Sequence, residues 1–159
     1  MEKENHVNVI VAPHPDDEII GCYEILTTKK PIIIYSISTN QQRSAEALKL
    51  KDHIDIGVQL FLNSIPNSFI NPNTTLYIPD PIYEIHPEHR RWGHMGESIA
   101  RGGFDVIFYN TLMNAPYIHE VQEFKEKEEL LSKVYPSQID LWKYEKKYIL
   151  FEGRNKWIF

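Results

Sequence analysis

Short apolar runs alternate along this chain with longer stretches in which apolar residues recur at helical spacing. Runs rich in β-branched or aromatic residues predict buried strands at residues 7–11, 32–37, 58–62 and 104–109. Helical spacing predicts helices over residues 18–30, 43–57, 87–100 and 121–134. A strand, a helix and a strand in succession form a βαβ unit with a right-handed crossover. The pattern therefore predicts an α/β fold, a Rossmann-like three-layer sandwich whose mostly parallel central sheet carries helices on both faces.

Polar stretches separate these elements and predict loops at residues 63–80 and 110–120, the first with one brief apolar segment at 76–78. After the last long helix, residues 139–144 are expected to add a helical turn or two. Aromatic segments at 148–151 and 156–159 are expected to pack against the sheet. A length of 159 residues suits a single domain over residues 1–159.

The composition narrows the class of protein. Hydrophobic residues at 42% and charged residues at 25% are typical of a folded globular chain. A formal net charge of -5 argues against non-specific binding to nucleic acid or to an anionic membrane, since both require a basic surface. The polar N-terminal segment resembles neither a signal peptide nor an anchor, and no apolar run approaches the roughly 18 residues of a membrane-spanning helix. The single cysteine, Cys22, cannot form an internal disulfide and is expected to be a small buried apolar side chain. We therefore expect a cytoplasmic protein.

The segment Ala-Pro-His-Pro-Asp-Asp-Glu at residues 12–18 joins the first predicted strand to the first predicted helix. In an open α/β sheet such a turn lies at the carboxyl end of the strand, where ligands bind. His14 and Asp17 carry ordinary zinc ligands, and Asp16 between them would then lie beside the metal-bound water, where a base is needed. The alternative is structural, because acidic residues before a helix often cap it and complement its dipole.

A second candidate segment, Ile-His-Pro-Glu-His-Arg-Arg-Trp-Gly, spans residues 85–93. Proline favours the first helical position, so Pro87 predicts a helix that begins there, with His86 and His89 at its start. A His-x-x-His pair alone is weak support for a metal site. A catalytic zinc commonly has three protein ligands, however, and the first segment supplies only two.

The two segments, His-Pro-Asp-Asp-Glu followed by His-Pro-Glu-His, resemble in order the metal segments of the PIG-L/LmbE family of zinc-dependent de-N-acetylases. The resemblance implies removal of an N-acetyl group from an N-acetylglucosamine-type amino sugar or conjugate. It implies Zn²⁺ as the cofactor, with Fe²⁺ or Co²⁺ as ions that similar ligands bind. By position it implies zinc ligands at His14, Asp17 and His89. It makes Asp16 the general base and His86 the second catalytic histidine.

Two further segments support this resemblance. Arg43-x-x-Glu46 before a helix resembles the family's second recurring segment, which makes Arg43 a candidate substrate contact; the alternative is a surface pair between Arg43 and Glu46. A helix that ends in Ser137-Gln138 resembles the family's C-terminal part.

The chain departs from the family pattern in three ways. Glu88 stands where family members usually carry aspartate, and Glu84 stands where a tyrosine helps to hold the oxyanion, with Tyr83 one place away. The chain is also short, and the loop before His86 is trimmed, which favours a shallow site open to a larger or unusual acyl-amine.

Other interpretations remain open at this point. The same fold could hold a sugar or nucleotide without hydrolysing it. A phosphoester hydrolase fits less well, because a two-metal site needs more ligands than these segments offer. The remaining histidines are expected to be surface or core residues: His6, His53, His94 and His119. The expected partner is a small-molecule substrate; the oligomeric state is not predicted.

Overall fold

The computed structural model describes residues 5–157 and contains one seven-stranded sheet with helices on both faces. The strands are β1 (Val7–Ala12), β2 (Ile32–Ser36), β3 (Gln59–Leu62), β4 (Thr74–Pro79), β5 (Asp105–Asn110), β6 (Ile118–Glu120) and β7 (Phe151–Asn155). Their order across the sheet is β3-β2-β1-β4-β5-β7-β6. The first five in that order run parallel, and β7 pairs antiparallel with both β5 and β6. The predicted Rossmann-like α/β sandwich is confirmed.

The α-helices are α1 (Asp17–Lys29), α2 (Gln41–Ala47), α3 (Pro87–Arg101), α4 (Phe124–Val134), α5 (Ile139–Tyr144) and α6 (Lys147–Leu150). Alternate side chains of the sheet enter two separate cores, as the period of a strand requires. Ile10 of β1 belongs to the core beneath α1, α4, α5 and α6, which also contains the buried Cys22. Val9 and Val11 belong to the core beneath α3, where Trp92 is fully buried. No helix within residues 5–157 is long and apolar enough to cross a membrane.

The strand β4 corrects the prediction of a loop over residues 63–80. It lies at the centre of the sheet between β1 and β5, and all six of its residues are buried. Its first two residues are threonines, whose hydroxyls hide the strand from a hydropathy pattern although their β-branched side chains suit a sheet. Thr75 Oγ1 donates to Asp105 Oδ2 at 2.6 Å and lies 2.8 Å from His6 Nε2. Partners distant in sequence thus satisfy the polar group that the strand buries.

The helix predicted over residues 43–57 is wrong in length. The α-helix ends at Ala47, and a 3₁₀ turn (Leu50–Asp52) and irregular backbone lead to β3. Gly57 does not end a helix; its N–H donates to Pro31 O at 2.8 Å, and a Cβ there would lie 3.0 Å from that oxygen. A side chain at this position would require the neighbouring backbone to shift by a few tenths of an ångström.

The C-terminal part also differs from its prediction. The loop expected over 110–120 contains the short strand β6, and α4 begins at Phe124, not at residue 121. The aromatic segment 148–151 is split between α6 and β7. Trp157 packs into the core beneath α3, whereas residues 158–159 and the N-terminal residues 1–4 lie outside the described part.

Gly93 lets α3 lie directly on the end of β4. A Cβ at this position would lie 2.7 Å from Pro79 O and 3.0 Å from backbone atoms of Pro81. Since real Cβ atoms essentially never approach so closely, the helix could not keep this position with any larger residue.

A buried ion pair supports a break in α1. Cys22 has non-helical angles (φ -136°, ψ 29°), which frees backbone groups on either side. Glu152 accepts from the N–H of Tyr23 at 2.6 Å, and Lys127 Nζ donates to Ile20 O at 2.8 Å. Lys127 and Glu152 lie 3.3 Å apart with both side chains fully buried. The pair therefore caps both halves of the broken helix.

We expect Glu152→Ala to lower the free energy of unfolding by about 3–5 kcal/mol, because it leaves the Lys127 ammonium buried without its partner. The measurement is equilibrium unfolding in urea. Glu129→Ala is the matched control on the same helix as Lys127, since Glu129 forms an exposed pair with Lys133; it should leave the midpoint unchanged. Similar midpoints for the two variants would contradict this role of Glu152.

Candidate metal centre

The two predicted metal segments follow β1 and β4, which are neighbours in the sheet. The strand order turns back between these strands, because the chain runs from β1 outward through β2 to β3 and returns at β4 on the other side of β1. Ligands of open α/β sheets bind at the carboxyl ends of the strands at such a point. The topology therefore brings together two segments that are far apart in the sequence.

Three side chains offer one ligand atom each to a common point. His14 Nδ1 lies 3.1 Å from His89 Nε2 and 3.6 Å from Asp17 Oδ2, and the distance from His89 Nε2 to Asp17 Oδ2 is 2.9 Å. Ligands at 2.0–2.2 Å from a tetrahedral ion are separated by about 3.3–3.6 Å. The residues present thus fit a single metal ion after small movements. Asp17 and His89 are buried, whereas His14 is partly exposed.

A second cluster, Glu24, His119 and Glu152, also has ligand atoms within 4.8 Å of one another. Its carboxylates already have a cationic partner, because Arg154 lies 2.8 Å from both Glu24 Oε1 and Glu152 Oε1. Glu152 is bound to Lys127 as well. The positive charge that a metal would supply is therefore present in these side chains.

The other histidines outside the two segments lie away from the metal candidate. His6 contacts Thr75, His53 is exposed, and the exposed His94 is 4.0 Å from Glu97 on its own helix.

His89 lies between two carboxylates. Its Nε2 faces Asp17, and its Nδ1 is 3.5 Å from Glu84 Oε1 and 3.4 Å from Thr111 Oγ1. Burial lowers the pKa of His89, but the charges and hydrogen bonds of Asp17 and Glu84 outweigh burial and raise the pKa to about 10. Burial opposes ionisation of Asp17, yet His89 and His14 hold its pKa well below the ordinary value. His89 thus lies between two acidic side chains that favour its protonated form.

Glu84 is a functional candidate that the sequence analysis treated only as a departure from the family pattern. Its Oε1 accepts from Thr111 N and Thr111 Oγ1, both at 2.7 Å, and its Oε2 has no hydrogen-bond partner within residues 5–157. A carboxylate on the second nitrogen of a metal-binding histidine fixes the tautomer and the orientation of the ring. The only sequence signal was an acidic residue five positions before His89, and its contact depends on Thr111 after β5.

The turn that carries Asp16 has unusual geometry. Asp16 has φ 114°, a conformation that an L-residue adopts only under strain and that is often found at functional sites. Its side chain makes no capping bond to α1 within the described residues, so it is not the ordinary N-cap of the structural alternative. Asp16 Oδ1 lies 3.1 Å from Arg43 Nη2. Burial and the charges of Asp17 and Glu18 raise the pKa of Asp16, and Arg43 opposes this shift.

Arg43 does not pair with Glu46. Its guanidinium donates to Pro15 O at 2.5 Å in addition to contacting Asp16, while its buried Nε has no partner within residues 5–157. Glu46 instead accepts from the backbone N–H and the hydroxyl of Ser137. Arg43 therefore holds the turn of the first segment, and a contact between Arg43 and substrate stays a prediction.

His86 is the N-cap of α3 and lies beside the metal candidate. Its Nδ1 accepts from Glu88 N at 3.2 Å, so the neutral ring carries its proton on Nε2. The ring centroids of His86 and His14 are 4.5 Å apart. Burial, with His14 and His89 nearby, lowers the pKa of His86. The arrangement therefore favours a neutral imidazole that donates a hydrogen bond from Nε2.

Glu88, the second substituted position of the family pattern, and Tyr83 both have structural partners. Glu88 accepts from Ser36 Oγ and from Arg91 Nε, both at 2.6 Å, and so ties the start of α3 to the end of β2. Tyr83 stacks on Trp157 at a centroid distance of 6.1 Å.

Glu18 completes the acidic turn as a fully buried carboxyl group. It accepts from the hydroxyls of Tyr135 and Tyr35 and from the backbone N–H of Asp16. Burial raises the pKa of Glu18 to about 7, although the hydrogen bond from Tyr135 opposes the shift. Its role is to hold the backbone of Asp16, while hydroxyl groups from two other parts of the chain hold Glu18 in turn.

Comparison of the chain with protein-family models, with curated proteins and with solved structures found no match in any of the three. What the site can do follows from its donor set and its geometry. Two imidazole nitrogens and one carboxylate oxygen suit a catalytic metal ion. His86 lies beside them, and Asp16 directly precedes Asp17 in the chain.

Metal binding should release about one proton per ion between pH 7 and 9, because the ion takes the place of the proton on His89 Nε2. The apparent affinity should rise about tenfold per pH unit in this range, since the pKa of His89 lies above it. Calorimetric titration with Zn²⁺ in buffers of different ionisation enthalpy measures the release. Equal heats in all buffers would rule it out.

Replacing Glu84 with alanine should weaken Zn²⁺ binding about 10–100-fold, because the ring of His89 loses the group that orients it. Competition with a chromophoric chelator measures the affinity. Glu97→Ala on α3 is the control, since Glu97 faces the exposed His94. An unchanged affinity in Glu84→Ala would remove Glu84 from the site.

Proposed function

We propose that this protein is a metal-dependent amide hydrolase that removes an N-acyl group from an amino sugar or conjugate. The observation that carries the proposal is the convergence of His14, Asp17 and His89 at the turning point of the strand order. The ring centroid of His86 is 4.5 Å from that of His14, and Asp16 directly precedes Asp17 in the chain. The resemblance of the two segments to the PIG-L/LmbE family supplies the amino sugar and the acetyl group as first choices. The proposal includes the small-molecule partner and the cytoplasmic location expected from composition.

Zinc is the ion we propose, since two nitrogens and one oxygen with a fourth position open is a common catalytic zinc set. Fe²⁺ and Co²⁺ are alternatives, because similar ligands bind them. When bound, the ion would polarise the amide carbonyl and lower the pKa of a water ligand towards 7.

The side chains around the metal ligands each have a different role in the proposed reaction. Asp16 accepts the proton of the attacking water, and Arg43 holds its carboxylate in place at 3.1 Å. His86 donates from Nε2 to the carbonyl oxygen as negative charge develops there. Glu84 and Thr111 keep the ring of His89 in position on the far side of the ligand set.

We expect His89→Ala to lose its bound metal and its activity, and Asp16→Asn to keep the metal but lose about 10²–10⁴-fold in turnover. Elemental analysis measures metal per chain, and acetate release from N-acetylglucosamine conjugates measures turnover. Asp55→Asn is the control, because Asp55 pairs with Lys30 on the surface.

The outcomes separate the candidate functions. Wild-type protein without metal after addition of zinc would reject the hydrolase. Metal binding without release of acid from any N-acyl substrate would favour a sugar- or nucleotide-binding protein.

A further inference from the structure

A cavity of about 150 Å³ opens beside the candidate metal centre. Part of its wall consists of residues already described: Asp17, Glu84, His86, His89 and Thr111. The rest of the wall is apolar or aromatic and is formed by Ile20, Leu112, Leu141 and Tyr148. On the side away from these residues, the cavity is therefore bounded mainly by hydrocarbon and aromatic surface.

The four apolar residues come from four places in the chain. Ile20 is buried on α1, and Leu112 follows β5. Leu141 on α5 is 40% exposed, so it lies where the cavity meets solvent, and Tyr148 on α6 is partly buried. None of these four residues has a role in the proposed hydrolysis, so their place in the cavity wall must have another reason.

A substrate amide has an amine side and an acyl side, and either of them could occupy the cavity. The amine side of an amino sugar carries hydroxyl groups, which are costly to bury without hydrogen-bond partners. The acyl side is a hydrocarbon, and its burial is favourable in proportion to its apolar area. The chemistry of the wall therefore selects the acyl side.

The size of the cavity selects the length of the acyl group. A fully apolar cavity of about 150 Å³ is large enough for a benzene ring, which has six carbons. The cavity here has the same volume, with its polar groups on the side of the candidate metal centre. An acetyl group would place a single methyl group in it. A straight acyl chain of about six carbons would fill it much better.

We propose that Ile20, Leu112, Leu141 and Tyr148 form an acyl pocket, and that the preferred substrate is an N-acyl amine with a straight chain of about four to six carbons. This inference rests on the proposed amide hydrolysis at the same site. In the reaction, the oxygen of water bonds to the carbonyl carbon and the C–N bond breaks. Its electron pair stays on nitrogen, which takes a proton that came from the water. A short-chain carboxylic acid and a free amine leave.

Straight-chain hydroxamic acids test the pocket through binding alone, because the hydroxamate group binds zinc and the chain extends from it. We expect the affinity of the zinc-loaded protein, measured by calorimetry, to rise about fourfold per methylene from acetohydroxamate to hexanohydroxamate. An affinity that stays level or falls along this series overturns the acyl pocket.

A substitution at the cavity mouth locates the effect. In Leu141→Trp the larger side chain narrows the cavity, and the hexano-to-aceto affinity ratio should fall towards one. Leu48→Trp is the matched control, because Leu48 is 46% exposed just after α2 and is not part of the cavity wall; its ratio should match that of wild type. An unchanged ratio in Leu141→Trp would overturn the assignment.

Release of free amine from N-acetyl-, N-butanoyl- and N-hexanoylglucosamine separates this inference from the proposed function. Faster release from the butanoyl or the hexanoyl compound than from the acetyl compound supports both. Fastest release from the acetyl compound overturns the pocket while the hydrolase stands. If no compound is cleaved, the hydrolase fails, and the hydroxamate series alone decides whether the pocket stands.

Discussion

Three neighbouring carboxyl groups are buried at the first turn of α1, and side chains from several other elements of the fold stabilise them. Burial of like charges side by side is costly unless each has a partner. Asp16 faces Arg43 of α2, Asp17 faces His89 of α3, and Glu18 accepts from Tyr35 of β2 and from Tyr135 at the end of α4. Each carboxyl group thus ties a different element to the same turn. The contacts that position the candidate site therefore also hold these elements of the tertiary structure together.

The position of α1 depends on a second set of buried charges, the pair of Glu152 and Lys127. Glu152 and Lys127 cap the broken middle of α1 and join it to β7 and α4. Because α1 begins with Asp17, its position relative to the sheet sets where that carboxylate points. This pair therefore links the C-terminal part of the chain to the position of Asp17, and Leu141 and Tyr148 of the same part line the cavity beside the candidate metal centre.

The parts that sequence could predict are those whose signal is local. The strand-to-helix turn, the proline that starts α3 and the two histidine segments could be read within a few residues of the chain. The strand β4 was missed because Thr74 and Thr75 look polar until Asp105 and His6 are seen to satisfy Thr75. Glu84 and the residues of the cavity wall were missed for the same reason, because their roles depend on contacts between segments that are distant in the sequence. The likeness to a known family stays a prediction, because the comparisons found no match.

The close contact of Gly93 with Pro79 and Pro81 bears on how this site would tolerate change over evolutionary time. His89 is one helical turn before Gly93, so the separation between the two halves of the site is set by backbone against backbone. A substitution of one side chain can be compensated by changes in the side chains around it. A Cβ at position 93 would contact backbone atoms, which no side-chain change can remove. A glycine four residues after the last histidine, in His-Pro-Glu-His-Arg-Arg-Trp-Gly, is therefore the position at which a search for divergent relatives should allow the least variation.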